Sequence, residues 1–355
     1  MKLKLVPNLK WFEEHRKVWI SVILGTALIL VGWLIYVSVR VDDAIVRTNP
    51  SSSFNETNPA IEFEESPLTG VQVSPSAAER PVIGMMISNS TAARPQSGLH
   101  KAGVVYEAIA EGGITRYLAF FQDELPTLLG PVRSVRPYFV DWVEPFDAYF
   151  GHVGGSVQGR ADAAKLGNKD VDQFSNGQYY YRSTDRFAPH NVYTTDELLA
   201  QMINDRGDTP SDFDSFPRKD DAPAKNAPAR KITIDVSSAL YQVSYTWDRE
   251  SNNYLRSLGG SAHRDRESLT QISPKNVIAI EMTHNVVGER LSLATSGSGN
   301  AWIFRDGKVV QGKWSKSSDS AQIVFKDKNG KEIKLNTGST WITVIPPSQS
   351  VTYKP

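Results

Sequence analysis

The sequence predicts an N-terminal transmembrane helix, then a mixed-sheet α/β domain, and then a mainly antiparallel β domain, an organisation of the α+β and α/β classes. Three observations support this. A long uncharged apolar segment lies near the N-terminus, strand and helix patterns alternate in the middle, and apolar and polar residues alternate between short turns at the C-terminal end. With 355 residues, 40% of them apolar, the chain is long enough for two domains with separate cores.

The composition excludes several classes of function. Lys and Arg number 39 and so do Asp and Glu, and no polybasic block follows the first turns of the chain, so we expect no nucleic-acid partner. The absence of cysteine excludes disulfides, thiolate metal sites, a cysteine nucleophile and the acylated cysteine of a lipoprotein. No H-E-x-x-H or comparable spacing is present, so the sequence predicts no metal site, and it indicates no cofactor.

The most legible segment is 18–39, which contains no charged residue. As a helix it would extend roughly 33 Å, enough to cross the apolar core of a bilayer. Basic residues are concentrated before it, at Lys2, Lys4, Lys10, Arg16 and Lys17. The positive-inside rule then places residues 1–17 in the cytoplasm and the rest outside. The sequence predicts a single-pass protein of the cytoplasmic membrane, with its C-terminal domains outside.

Two polar stretches divide the remainder of the chain. Residues 40–65 are rich in Ser, Asn, Pro and Glu and are predicted to be a disordered tether. Residues 207–229 combine prolines with alternating charge, which indicates an exposed linker. The predicted domains are therefore 66–206 and 230–355.

Strand and helix signals alternate in the first domain. The predicted helices begin at Pro137, after the N-cap Ser156, and at Thr194, where Glu197 would complete a capping box. Four strands are predicted, the second and third joined across Gly112-Gly113: 82–88, 104–110, 114–122 and 148–153.

The second domain reads as antiparallel β structure throughout. Its strands are predicted within 231–237, 241–248, 253–258, 276–284, 290–295, 301–314, 321–335 and 341–346. Asp306-Gly307 and Asn329-Gly330 are typical of two-residue type I′ hairpin turns.

The candidate site lies in GPVRSVRPYFVDWVEPFDAYFGHVGGS, residues 130–156. Arg133 and Arg136 immediately precede a predicted helix, and a second helix entrance follows the strand that ends at His152. A helix N-terminus offers free N–H groups to an anion, and ligands of open α/β sheets lie beyond the carboxyl ends of strands. The candidate ligand-binding residues are Arg133, Arg136, His152, Gly154, Gly155 and Ser156, joined by Arg116, Arg182 and His190 if the fold brings them there.

A structural interpretation of the same residues stays open. Each arginine could pair with a nearby carboxylate such as Asp141 or Glu144, with the glycines only turning the chain.

Catalysis has weaker support. Ser156, His190 and Asp185 could be drawn as a triad, but the chain has no G-x-S-x-G elbow. Glu107 and Glu111, four residues apart on a strand, are expected to share one ordinary solvent-facing side rather than to form an acid/base pair. The catalytic residues are left unassigned.

Six segments carry a resemblance to a known family. RPVIGMMISNSTAARPQSGLHKAGVVYEAIAEGGITRYLAFF, GPVRSVRPYF, HVGGS and APHNVYT closely resemble the N-terminal domain of the YerB-like lipoprotein family of bacteria, and SGSGNAWIFRDGKVVQGKW with NTGSTWITVIP resembles its C-terminal domain. The resemblance spans nearly all of residues 66–355. It implies two domains and a tethered extracytoplasmic envelope protein, and it supplies no reaction. The chain departs from the lipoprotein pattern because it has no cysteine to acylate.

The preferred function is binding of an anionic envelope ligand, a glycan, a phosphate or a carboxylate-bearing peptide, near Arg133 and Arg136. One alternative is an enzyme acting on phosphorylated or carboxylated envelope polymers, with His152 or His190 as acid/base. The other is a protein–protein interaction scaffold that uses the edges of the β domain.

Overall fold

A computed structural model describes residues 62–287 and 290–355. The predicted cytoplasmic tail, the transmembrane segment 18–39 and nearly all of the tether lie outside these residues. Within the described ranges, no helix is long and apolar enough to cross a bilayer.

The described residues form four α-helices and 23 strands. The helices are α1 (Pro75–Ala78), α2 (Pro137–Val143), α3 (Val157–Ala163) and α4 (Asp196–Arg206). The strands before residue 220 are β1 (Glu64–Glu65), β2 (Gln72–Val73), β3 (Ile83–Ser88), β4 (Val104–Glu111), β5 (Ile114–Phe121), β6 (Tyr149–His152), β7 (Asp170–Asp172), β8 (Tyr181–Arg182), β9 (Val192–Tyr193) and β10 (Arg218–Lys219). The later strands are β11 (Lys231–Ile234), β12 (Val243–Asp248), β13 (Asn253–Leu258), β14 (Ser261–Ala262), β15 (Asn276–Glu281), β16 (His284–Val287), β17 (Arg290–Leu293), β18 (Gly297–Arg305), β19 (Lys308–Lys316), β20 (Val324–Asp327), β21 (Leu335–Asn336), β22 (Thr340–Ile345) and β23 (Val351–Lys354).

A ten-stranded mixed sheet runs through both halves of the described chain, in the order β20-β19-β18-β15-β22-β4-β5-β3-β6-β7. The halves meet where β22 pairs in parallel with β4, Thr340 opposite Val104. A mixed α/β segment followed by a mostly β segment is therefore confirmed. The sequence did not indicate that the two segments share a sheet.

A second sheet of five antiparallel strands, β14-β13-β12-β11-β23, belongs entirely to the C-terminal segment. Elsewhere in that segment β15 pairs in parallel with β22, so its pairing is mainly but not wholly antiparallel. A parallel pair needs a crossover rather than a tight turn, and here β16 to β21 lie between the two strands.

Side-chain alternation along the central strands supplies a core on each face of the large sheet. On one face Val104, Tyr106, Leu118 and Phe120 pack with the aromatic residues of α2. On the other face Val105, Tyr117, Ala119 and Phe121 pack with α4. A third core lies between the five-stranded sheet and β15, β18 and β22. Coverage on both sides explains why β3 is buried along its whole length.

Local signals placed most elements correctly. The hairpin across Gly112-Gly113 is confirmed, with both glycines at positive φ. The helix beginning at Pro137 and the Ser156 cap are also confirmed, the Ser156 hydroxyl accepting from Gly159 N.

Two details of these predictions are wrong. The cap of α4 is Thr195, whose hydroxyl accepts from Leu198 N, because Thr194 is buried and donates to the Tyr179 carbonyl. At Asn329-Gly330 only the glycine has positive φ, so that turn is not type I′, whereas Asp306-Gly307 has positive φ at both residues.

The predicted exposed linker 207–229 is partly packed. Phe216 is buried between the rings of Phe146 and Phe325, and β10 pairs with β21. Ala224 and Ala229 are buried as well. The correction has a simple cause: one large aromatic residue anchors an otherwise polar segment, and composition averaged over the segment conceals it.

Candidate functional site: an arginine cluster at the end of the large sheet

The candidate site lies where β3, β4 and β6 end and β5 begins. These three strands are mutually parallel, because β5 is antiparallel to both β3 and β4 and β6 is parallel to β3. Their carboxyl ends therefore meet at one edge of the sheet, the usual position of ligand sites in such folds. Three positively charged side chains, Arg116, Arg133 and Arg136, converge there, and we call them the arginine cluster.

The segment 132–136 is held between two neighbours. Arg133 N donates to the Met86 carbonyl of β3 (2.8 Å), and Val153 N donates to the Arg133 carbonyl (3.1 Å). Val135 N donates to the Gly154 carbonyl (3.0 Å). These backbone bonds fix both arginines relative to the ends of β3 and β6.

Glu111 joins two members of the arginine cluster. Its Oε1 accepts from Arg116 at 2.5 Å and its Oε2 accepts from Arg136 at 2.7 Å. Arg116 also donates to the Ser134 carbonyl (2.7 Å) and is buried, whereas the side chains of Arg136 and Glu111 are 22% and 40% exposed. The structural interpretation is thus right for Arg136, which has a carboxylate partner, although that partner is neither Asp141 nor Glu144.

Arg133 has no such partner. Its Nη1 donates to the Pro189 carbonyl at 3.3 Å, and within the described ranges no carboxylate lies within 4.0 Å of its guanidinium. Its Nε is buried without a hydrogen-bond partner among the described residues. A half-buried cation that meets only neutral groups retains capacity to bind an anion.

His190 lies beside Arg133, and its Nδ1 is 3.3 Å from the Ser88 hydroxyl at the end of β3. Burial and then the charges of Arg133, Arg186 and Arg116 lower the pKa of His190 below its usual value. The ring is therefore neutral at pH 7, able to accept at one nitrogen and donate at the other.

The electrostatics of the arginines follow from burial. Burial lowers the pKa of Arg116 to about 10, although Glu111 opposes the shift. The pKa of Arg133 is lowered too, mainly by burial, with Glu111 raising it and Arg136 lowering it further. At neutral pH both remain charged, so the cluster carries three positive charges against the one negative charge of Glu111.

His152 and the glycine loop serve to hold the backbone. His152 is buried, and its ring nitrogens lie 2.9 Å from the Gly154 carbonyl and 2.8 Å from Asp170 Oδ1. Gly154, at φ +53°, donates its N–H to Asp172 Oδ1. A Cβ on Gly155 would lie 2.5 Å from Val135 Cγ1, so only glycine lets the two segments approach this closely.

Other predicted residues do not converge. Arg182 is exposed and donates to Asn191 Oδ1. The three members of the suggested triad have separate roles, because Ser156 caps α3, Asp185 lies 3.6 Å from Arg266 and His190 faces Ser88.

Behind the site lies a buried polar network that the sequence did not indicate. Glu107, expected on a solvent-facing side, is fully buried. Its Oε2 accepts from Arg256 at 2.6 Å and from Trp341 Nε1 at 3.1 Å, and its Oε1 accepts from Thr115 at 3.0 Å. The Thr115 hydroxyl in turn accepts a hydrogen bond from the Asn89 side chain at 2.6 Å. Asn89 directly follows Ser88. The network therefore connects Arg256 and Trp341 of the C-terminal segment to Asn89, at the end of β3 beside the site.

The arrangement has the chemistry to recognise an anion. Three guanidiniums, one neutral imidazole and the Ser88 hydroxyl surround one region, and guanidinium forks match the geometry of phosphate and carboxylate oxygens. Within the described residues, no group of three or more His, Asp or Glu side chains could hold a metal ion.

Comparisons with known proteins place the chain among relatives. A family model described as "Protein of unknown function (DUF3048) N-terminal domain" matches residues 68–209, and one described as "Protein of unknown function (DUF3048) C-terminal domain" matches residues 232–342. "Putative lipoprotein YerB" from Bacillus subtilis (strain 168) is 30% identical over 292 residues, covering 79% of this chain and 86% of the relative.

A solved structure is similar in fold as well. The crystal structure of the YerB protein from Bacillus subtilis aligns with a TM-score of 0.72 at 28% identity, covering 81% of this chain and 99% of that one. These matches confirm the resemblance drawn from the sequence motifs.

Proposed function

Since the chain belongs to the YerB-like family of two-domain proteins, we propose that it is a membrane-anchored, extracytoplasmic protein of the cell envelope that binds an anionic ligand at the arginine cluster. The lipoprotein name of the relative supports an anchored extracytoplasmic location. In this chain the uncharged segment 18–39 would replace the lipid anchor, because there is no cysteine to acylate.

One observation carries the ligand proposal: Arg116 and Arg136 share a single carboxylate, and the neighbouring Arg133 makes no ion pair with any described residue. Desolvating a cation costs free energy unless an opposite charge offsets it. An incoming phosphate or carboxylate would supply that charge.

The test is calorimetric titration of inorganic phosphate into the full-length protein and its variants. Each charge-assisted hydrogen bond contributes about 1.5–3 kcal/mol, so Arg133→Ala and Arg136→Ala should each weaken binding about tenfold or more. Arg133→Lys should recover only part of the loss, because an ammonium lacks the planar fork.

The matched control is Arg249→Ala, which removes an exposed arginine from the turn between β12 and β13. It should leave phosphate affinity unchanged. The proposal fails if the wild-type protein binds no anion, or if Arg133→Ala lowers the melting temperature while phosphate affinity stays at the wild-type level.

A second candidate, an enzyme acting on phosphorylated envelope polymers, is favoured by one contact. His190 lies 3.3 Å from the Ser88 hydroxyl and its pKa is lowered, as suits a general base next to phosphate-binding arginines. Hydrolysis of a phosphodiester substrate that is lost in His190→Gln, with phosphate binding retained, would favour the enzyme over the binding protein.

A further inference from the structure

Two further arginines extend the cationic surface beyond the arginine cluster. Arg186 donates from Nη1 to the Ala92 carbonyl (3.0 Å) and from Nη2 to the Pro95 carbonyl (2.6 Å). Arg94 donates from Nε to Asn89 Oδ1 (3.0 Å) and from Nη1 to the Leu240 carbonyl (3.0 Å). The Arg94 guanidinium also lies over the Tyr241 ring, 4.8 Å from its centroid.

These arginines are continuous with the arginine cluster. Arg133 contacts Pro189, in the loop 183–191 between β8 and β9, and Arg186 lies in the same loop. From there Arg186 reaches the 92–95 segment, which contains Arg94. We call the row Arg136, Arg116, Arg133, Arg186 and Arg94 the arginine band.

The charges along the arginine band are poorly balanced. Glu111 is the carboxylate that pairs with Arg116 and Arg136. In the part of the chain that the structure describes, no carboxylate lies within 4.0 Å of Arg94, Arg133 or Arg186, and their hydrogen bonds go to neutral oxygens. Glu111 is therefore the one carboxylate among the described residues within 4.0 Å of these five positive charges, in a chain whose formal net charge is zero. Such one-signed surfaces attract ligands of the opposite sign.

We propose that the ligand of this site is a linear polyanion that carries phosphate or carboxylate groups at repeated intervals. One group would contact Arg133 and Arg136, and a later group on the same chain would reach Arg186 and Arg94. The proposal rests on the proposed function, because it takes the arginine cluster as the first contact. A single small anion would leave the charges of Arg186 and Arg94 without a partner.

The arginines are better suited to a polymer chain than to a membrane surface. Arg94, Arg133 and Arg186 are only partly exposed, and backbone carbonyls hold each guanidinium in place. Guanidinium groups held in this way are preorganised to bind separate oxyanions, so little side-chain entropy is lost on binding. A bilayer would need cations that protrude.

The experiment compares inorganic phosphate with long-chain polyphosphate, each titrated into the full-length protein. Arg186→Gln should weaken polyphosphate binding about tenfold and leave inorganic phosphate affinity unchanged, since a single phosphate is held by the arginine cluster alone. Arg249→Gln is the matched control and should change neither affinity. Poly-glutamate, titrated in parallel, tells whether the repeated group is a carboxylate or a phosphate.

The salt dependence of binding gives a second readout, which can be measured on the wild-type protein first. Each protein cation that neutralises a charge of a polyanion releases counterions, so log affinity should fall more steeply with log salt for polyphosphate than for phosphate. Arg186→Gln should reduce the polyphosphate slope by about one. Melting temperatures of both variants verify that they are folded.

Three outcomes would overturn the polyanion proposal while leaving phosphate binding intact: polyphosphate that binds no tighter than phosphate, equal salt slopes, or an Arg186→Gln variant with wild-type affinity for both. The proposal would also be overturned if the protein bound anionic phospholipid vesicles but no polyanion. Phe187 is 93% exposed on the same loop, so Phe187→Ser should then abolish the vesicle binding. If phosphate itself does not bind, the proposed function fails first.

Discussion

At the scale of single residues, Glu111 determines the state of the arginine cluster. Its two oxygens accept from two arginines, as the oxygens of a bound phosphate would. Glu111 is thus an internal anion that keeps Arg116 and Arg136 in position, and at the proposed site it would compete with an external one.

Glu111→Gln should therefore raise phosphate affinity roughly fivefold, because about 1 kcal/mol of charge repulsion with the ligand is removed. The same change should lower the melting temperature, since Arg116 and Arg136 lose their shared counter-charge. Calorimetry and thermal unfolding measure the two effects. Glu124→Gln, which removes the surface partner of Lys101, is the control and should alter neither. Equal phosphate affinity in Glu111→Gln and wild type would contradict this role.

Sequence reasoning found Arg133 and Arg136 but not Glu111, and a backbone irregularity explains the difference. A spacing of four along a strand places Glu107 and Glu111 on one face. A β-bulge between Ile109 and Glu111 shifts the register, so Glu111 meets Arg116 while Glu107 lies on the opposite face beside Arg256 and Trp341. Alternation of residue types carries no sign of a bulge at that position.

At the scale of elements, the close contact between segment 132–136 and the loop 153–156 positions the cluster. Local sequence signals were sufficient to predict both helix entrances, because Pro137 and Ser156 mark the starts of α2 and α3. The contact between the two helix entrances was not predictable, since it depends on the pairing of β3 with β6.

Gly155→Ala should destabilise the protein by about 1–3 kcal/mol, because the new methyl group would lie 2.5 Å from Val135 Cγ1 and 2.7 Å from its carbonyl oxygen. Moving Val135 also moves both neighbouring arginines, so phosphate affinity should fall. Gly177→Ala is the control: its Cβ would have no neighbour nearer than 3.9 Å, and the change should stay within about 0.5 kcal/mol. Denaturant unfolding measures both, and equal stabilities of the two variants would refute the packing argument.

At the scale of the whole molecule, strands from the two family-defined segments complete one sheet. The β22–β4 pair joins residues more than two hundred positions apart, and the buried Glu107–Arg256 ion pair bridges the same segments. Neither could be predicted from the sequence, because hydrophobic periodicity identifies a strand but not its partner.

We expect the described part of the chain to unfold in one cooperative transition, with far-ultraviolet circular dichroism and tryptophan fluorescence coinciding. Glu107→Ala should cost about 3–5 kcal/mol, because it leaves the fully buried Arg256 without its counter-charge. Glu250→Ala, at an exposed turn, serves as the control. Two separate transitions, or a Glu107→Ala variant as stable as Glu250→Ala, would mean that the segments are independent.

Anion binding at the arginine cluster would be reported most directly by the Arg133 side chain. Its Nε has no hydrogen-bond partner among the described residues, so a bound phosphate would change its surroundings. The measurement is the ¹H–¹⁵N resonance of the Arg133 Nε–H group, assigned by loss in Arg133→Lys, during titration with phosphate. We expect a saturable shift of this resonance while that of Arg249 stays in place. A resonance that does not move, or that moves no more than that of Arg249, would contradict it.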